Sequence, residues 1–145
     1  MNSAPRVILF LDDNPARHDQ MDRDFPDDTI IHIYNIHDFR TALEEHEKFD
    51  IVSLDHDLND FTKLGSKHQS IMSFGEATGR DACGFMMKYR HKLPSEIIIH
   101  SSNEEGARSM MEFLDSRQIS YRWKMFNDGK KLDNDEIDWI WMLFC

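Results

Sequence analysis

Polar and apolar positions along the chain fall into short apolar runs separated by longer mixed segments. Val7-Ile8-Leu9-Phe10-Leu11 stops at Asp12-Asp13, and Asp50-Ile51-Val52-Ser53-Leu54 stops at Asp55-His56-Asp57. Neither run alternates, so each predicts a strand buried on both faces of a parallel sheet. Ile30, Ile31, Ile33, Tyr34 and Ile36 predict a strand between them, and Glu96-Ile97-Ile98-Ile99-His100 a fourth. From Ile119 to Phe126, Tyr121, Trp123 and Met125 alternate against Ser120, Arg122 and Lys124, which predicts a fifth. Helices fill the intervals. Asn14-Pro15 supplies a cap and a first-turn proline ahead of Met21 and Phe25, and Asp38 caps a helix carrying Phe39, Ala42 and Leu43. Thr78-Gly79-Arg80-Asp81 opens a helix with Ala82, Phe85, Met86 and Tyr89 that Pro94 closes. Glu104 to Arg117 places Ala107, Met110, Met111 and Leu114 on one face, and a last helix from Asn134 carries Ile137, Ile140, Trp141 and Phe144. This βαβαβαβαβα order calls for an α/β domain, a parallel sheet flanked by helices on both faces. Only Asn59 to Thr78 lacks a period. It predicts a long loop inserted at about residues 59–79, directly after the second acid cluster, where it would serve as a lid.

Open α/β sheets bind ligands beyond the carboxyl ends of their strands. Asp12, Asp13, Asp55 and Asp57 are therefore expected to converge on one crevice, where they repel one another unless a cation sits between them. Mg²⁺ (or Mn²⁺) is the natural candidate, because it takes carboxylate oxygens and commonly bridges them to a phosphate. Asp57 follows Asp55 by two residues and shares its side only if the strand continues. His56 and His100 end strands and are the candidates for general base and acid, since imidazole titrates near neutrality. His18, His46, His68 and His91 lie in polar surroundings and read as solvated. Phosphate oxygens need donors, which Ser101, Ser102 and Asn103 offer at one strand-to-helix junction and Thr78, Gly79 and Arg80 at another. Lys124 joins them if the fifth strand ends there.

Length and charge narrow the partners. At 145 residues the chain predicts one domain over residues 1–145. A net charge of -10 argues against a general DNA binder or an anionic-membrane binder, while local positive sites leave room for a small phosphate ester as ligand. Two cysteines, Cys83 and Cys145, make no disulfide framework or zinc motif, and no run reaches a membrane span. A cytoplasmic protein is expected.

Five alternating units, an acid pair ending the first strand and an aspartate ending the third resemble the receiver domain of two-component signalling. The resemblance implies a single flavodoxin-like sheet of order 2-1-3-4-5. It also implies Mg²⁺ on Asp12 and Asp13, a phosphoryl acceptor at Asp55, Ser101 or Ser102 ending the fourth strand, and Lys124 ending the fifth. A histidine after the acceptor and the long insert depart from that pattern. Leu11-Asp12-Asp13-Asn14, Leu54-Asp55-His56-Asp57-Leu58, Thr78-Gly79 and His100-Ser101-Ser102-Asn103 with Gly106-Ala107 are instead similar to the cyclic-phosphate-processing receiver-like domains. That resemblance implies a metal-dependent phosphoesterase acting on a cyclic phosphate, with Asp55 either a metal ligand or a nucleophile. A signalling receiver phosphorylated on Asp55 and a nucleotide-binding module without turnover are the alternatives.

Overall fold

The computed structural model describes residues 5–60, 77–101 and 103–124. Five strands form one parallel sheet: β1 (Val7–Leu11), β2 (Thr29–Ile33), β3 (Ile51–Leu54), β6 (Glu96–Ile99) and β7 (Arg122–Trp123), in the order β2-β1-β3-β6-β7. Two further short strands, β4 (Asp57–Asp60) and β5 (Ala77–Thr78), pair antiparallel outside it. The main-sheet order is the expected 2-1-3-4-5, and the chain reverses direction across the sheet at β1, between β2 and β3. The helices are α1 (Pro15–Asp24), α2 (Ile36–Glu45), α3 (Gly79–Lys88) and α4 (Glu104–Ser116), with a 3-10 turn at Arg90–Lys92.

The unbroken apolar runs are explained by burial on both faces of the sheet. Leu9 and Leu11 of β1 pack with Phe39 and Leu43 of α2, Ala82 and Met86 of α3, and Met110 and Leu114 of α4. Ile8 and Phe10 face the other way, into a smaller cluster with Met21 and Phe25 at α1. Lys92 donates from Nζ to the carbonyls of Leu43, Glu44 and His46, closing the otherwise open C-terminal end of α2. Cys83 is buried, and that burial pushes its thiol up to about 12, which makes it a core residue and not a nucleophile. Among the described residues no helix is long and apolar enough to cross a membrane.

Several boundaries differ from those expected. β2 ends at Ile33, and Ile36 begins α2 instead of extending the strand. Asn35, not Asp38, is the cap, its side chain accepting from the Asp38 N–H and so fixing the start one turn earlier. The segment expected as loop from Asn59 to Thr78 is paired at both of its described ends, because Asp60 and Ala77 are ladder partners, as are Asp57 and Thr78. Between them, residues 61–76 lie outside the described residues, as do Ser102 and the expected helix from Asn134. The fifth strand is only two residues long within the described part, and Ile119 and Tyr121 pack on the core from outside it.

Candidate functional site

The carboxyl edge of the sheet is built by the backbone ladder. Just past each strand, the next residue donates its N–H to a neighbouring strand: Asp12 to Ile33, Asp55 to Leu11, His100 to Leu54 and Lys124 to Ile99, at 3.0, 3.0, 2.9 and 2.8 Å. Four side chains of three kinds, two carboxyls, an imidazole and an ammonium, are thereby set along one edge that includes the point where strand order reverses, the usual place for a ligand in such a sheet. Ser101, Asn103, Thr78 and Gly79 follow at the starts of α4 and α3. Gly79 is required there, since a Cβ would overlap the carbonyl oxygen of Asp55.

Asp12 and Asp55 are both buried, at 0% and 3% exposure. Asp12 Oδ2 accepts from His100 Nε2 at 2.9 Å and from Arg17 Nη1 at 3.0 Å, while its Oδ1 accepts from the Asn14 N–H at 2.8 Å. Burial works to raise the Asp12 carboxyl, but the hydrogen bond from His100, the Asn14 N–H and the Arg17 guanidinium together hold it below the ordinary carboxylate range. Asp55 has weaker support: Oδ1 accepts from the His56 N–H at 2.9 Å, and Arg17 Nη1 lies 3.5 Å from Oδ2. Burial, then the charges of Asp12 and Asp13 against the opposing Arg17, push Asp55 up to about 8. Asp13 is half-buried beside the pair.

His100 lies 3% exposed with Phe10 stacked on its ring at 4.8 Å. Its Nε2 faces a carboxylate that only accepts, so Nε2 carries the proton and Nδ1 accepts from the Ser53 hydroxyl at 2.7 Å. Burial keeps the ring neutral against the pull of Asp12. Both nitrogens are thus committed inside the protein, unlike an acid or base that exchanges protons with solvent.

His56 is placed differently. Its Nδ1 is 2.8 Å from Asp57 Oδ1, and Asn103 Nδ2 donates to both oxygens of Asp57 at 3.2 Å. The carboxylate fixes the proton on Nδ1 and leaves Nε2 as an acceptor. Gly106 makes room for the ring, because a Cβ there would run into Cγ and Nδ1 of His56. Asp57 is exposed and turned toward His56 and Asn103, since the chain leaves the main sheet at His56 and strand alternation no longer applies.

Two residues escaped the sequence reading. Arg17 and His18 form, with Met21, the buried face of α1. Far from being solvated, His18 is 2% exposed: its Nε2 contacts the Asp12 carbonyl at 2.7 Å, its Nδ1 meets His32 Nδ1 at 2.6 Å, and Tyr34 stacks on it at 3.9 Å. Their signal was their place on the inward side of a capped helix, one turn after the acid pair. Of the expected phosphate donors, Thr78 caps α3 through the Arg80 N–H and Asn103 caps α4 through the Gly106 N–H. Ser101 is buried and accepts from the Asn103 N–H at 3.1 Å, and Arg80 is exposed with its guanidinium over Phe113. Lys124 is half-buried at the edge, and desolvation followed by Arg122 draws its ammonium down.

Ligand atoms of Asp12, Asp55 and His100 lie within 4.8 Å of one another. With His100 turned to orient Asp12, the carboxylate oxygens of Asp12 and Asp55 are of the hard kind that a divalent cation takes, and the elevation of Asp55 reflects its burial first and the neighbouring acids Asp12 and Asp13 second.

Comparison with solved structures gives the fold independently. The chain is similar to a CheY-like response regulator receiver domain from Methanospirillum hungatei, with TM-score 0.63, 15% identity, and 96% and 93% of the two chains covered. It is also similar to the signal receiver domain of a LuxO repressor protein from Vibrio parahaemolyticus, with TM-score 0.61, 14% identity and 96% and 88% coverage. A third relative is the receiver domain of a sensor histidine kinase from Pseudomonas aeruginosa, with TM-score 0.56, 14% identity and 94% of each chain covered; it holds a magnesium ion in its active site cleft. No curated protein matches the chain. The family model for the cyclic-phosphate processing receiver domain matches residues 7–116, from the first residue of β1 to the last of α4, and the chain belongs to that family.

Proposed function

We propose that this protein is a metal-dependent phosphoesterase that opens a cyclic phosphate, either a 2′,3′-cyclic end or a cyclic nucleotide. The observation that carries this reading is His56: an imidazole next in sequence to Asp55, its Nδ1 held at 2.8 Å by Asp57 and its ring seated against Gly106. A solvated surface histidine has no need of a carboxylate, an amide and a glycine to hold it. The family's name supports the substrate class, and the acid cluster beside His56 supports the use of a cation.

Asp12, Asp13 and Asp55 would hold the cation, which when bound supplies positive charge to a phosphoryl oxygen and relieves the repulsion among the carboxylates. His56 Nε2 takes a proton from water as the water oxygen bonds to phosphorus. One ring P–O ester bond breaks, its oxygen takes a proton from solvent, and a linear phosphomonoester leaves. Asp57 steadies the imidazolium that forms, as a carboxylate does for a general-base histidine elsewhere. Ser53 and His100 hold Asp12 in place. Thr78, Gly79 and Arg80 on one side and Ser101, Ser102, Asn103 and Lys124 on the other are the proposed phosphate donors, since two helix N-termini favour an anion there.

A second reading is favoured by Asp55 and Lys124, which stand at the ends of the third and fifth strands of the main sheet. In that reading Asp55 accepts a phosphoryl group as a signalling receiver does. Phosphorus NMR with Mg²⁺ and a panel of 2′,3′-cyclic nucleotides, 3′,5′-cyclic nucleotides and cyclic dinucleotides separates the two. Loss of one cyclic resonance, abolished by a chelator and by Asp55→Ala, is the result expected of the esterase. No conversion, with Asp55 modified by a small phosphodonor instead, would establish the receiver.

A further inference from the structure

The acid cluster already holds a cation of its own. Arg17, on the first turn of α1 and 8% exposed, lies with Nη1 at 3.0 Å from Asp12 Oδ2 and 3.5 Å from Asp55 Oδ2. A guanidinium keeps its charge across the whole working pH range, so this partner cannot leave by losing a proton, as a lysine can. Nη1 thus lies between the same two carboxylates that would hold the ion. With the guanidinium in place, a divalent ion there would face a second positive centre a few ångströms away in a buried setting, where such repulsion is poorly screened.

We propose that Arg17 is a latch: it is the resident counter-ion of the metal-free site, and a divalent cation enters by displacing its guanidinium from between Asp12 and Asp55. This rests on the metal centre proposed above and adds what sets its affinity. The helix itself need not move. His18 Nε2 contacts the Asp12 carbonyl and the Asn14 side chain caps the first turn, so the motion is confined to the Arg17 side chain. Once released, the guanidinium is a planar donor at the rim of the site, suited to a phosphate oxyanion. Phosphate and cation then assist each other: an anion that draws Arg17 outward vacates the carboxylates, and by reciprocity a bound cation raises affinity for the anion by the same factor.

The test uses the full chain and Mn²⁺ alone, followed by electron paramagnetic resonance, in wild type, Arg17→Met and Arg17→Lys. Arg17→Met is expected to bind Mn²⁺ at least tenfold more tightly than wild type, with Arg17→Lys between them. In wild type labelled with ¹⁵N-arginine, the Arg17 Nε–H signal is expected to shift and to exchange faster with water as Mg²⁺ is added, a readout that needs no variant to fold. Equal or weaker Mn²⁺ binding by Arg17→Met, with an unmoved Arg17 signal, overturns the latch and leaves the metal centre standing. Absence of Mn²⁺ binding in wild type and both variants removes the metal centre, and the latch with it.

Discussion

Asp55 carries a measurable liability in the metal-free protein. Its carboxyl is pushed from an ordinary 3.8 up to about 8 by burial and by Asp12 and Asp13. The unfolded chain therefore gives up this proton near pH 4 while the folded chain keeps it to about pH 8. A group whose pKa is raised by folding contributes stability that is fully present below the unfolded value and is lost as pH rises through the folded one. Each pH unit in that window removes about 1.4 kcal/mol per proton. Between about pH 6 and about pH 8 the loss comes to roughly 2 kcal/mol, reduced slightly by partial ionisation at the upper end. For a chain of this size that is a fall of roughly 6 °C in Tm. Asp55→Asn keeps the shape and the acceptor for the His56 N–H but cannot ionise, so its stability should not fall in this way. Urea unfolding of both proteins in a chelator, at several pH values, reads the difference directly. His18 and His100 are held neutral and contribute the opposite slope up to about pH 7, which both proteins share, so the difference between the two profiles is the quantity read. Saturating Mg²⁺ should flatten the wild-type profile, because the cation restores the carboxylate. Parallel pH profiles for the two proteins in chelator would refute the buried, crowded carboxyl on which this reasoning rests.

Other perturbations probe the parts around it. Gly106→Ala should cut kcat for the cyclic substrate by tenfold or more by pushing the His56 ring aside, with near-native unfolding; unchanged turnover would detach His56 from the chemistry. His56→Gln should lower kcat by about a hundredfold or more, with Mn²⁺ affinity unchanged when measured separately. Ser53→Ala leaves the buried His100 Nδ1 without its hydroxyl donor and should destabilise by about 1–3 kcal/mol in denaturant titration. Gly79→Ala forces α3 off the peptide after β3 and should lower the melting temperature by several degrees, since the new methyl meets the Asp55 carbonyl, which cannot swing away as the Met110 side chain beside it can.

Much of the framework was legible because the central strands are buried on both faces. Leu9, Leu11, Ile8 and Phe10 leave no polar alternative to a parallel sheet, and the acids after them mark its carboxyl edge. Hydropathy failed where burial is polar. The inward face of α1 is Arg17, His18 and Met21, and a buried charged face has the same pattern as a solvated one until its partners are known. The partners are Asp12, Asp55 and His32, which come from three other segments. Asp57 was left open by the sequence for a different reason: it shares the side of Asp55 only if the strand continues, and the chain turns at His56. His56 and its support were half visible, the histidine in the motif and Gly106 in the block behind Asn103. The contact between them is tertiary.

The row of backbone bonds from Asp12, Asp55, His100 and Lys124 has a consequence for how such a site changes. Each position is located by its own N–H on an adjacent strand, so its place is set by the ladder and not by the side chain it carries. Neighbouring strands are spaced about 4.8 Å apart, and the edge therefore works as a ruled line on which residues can be exchanged one at a time without moving their neighbours. Chemistry on this edge is spelled by substitution at fixed stations, and a one-residue slip of any strand would turn its terminal residue to the opposite face and erase the site at a stroke.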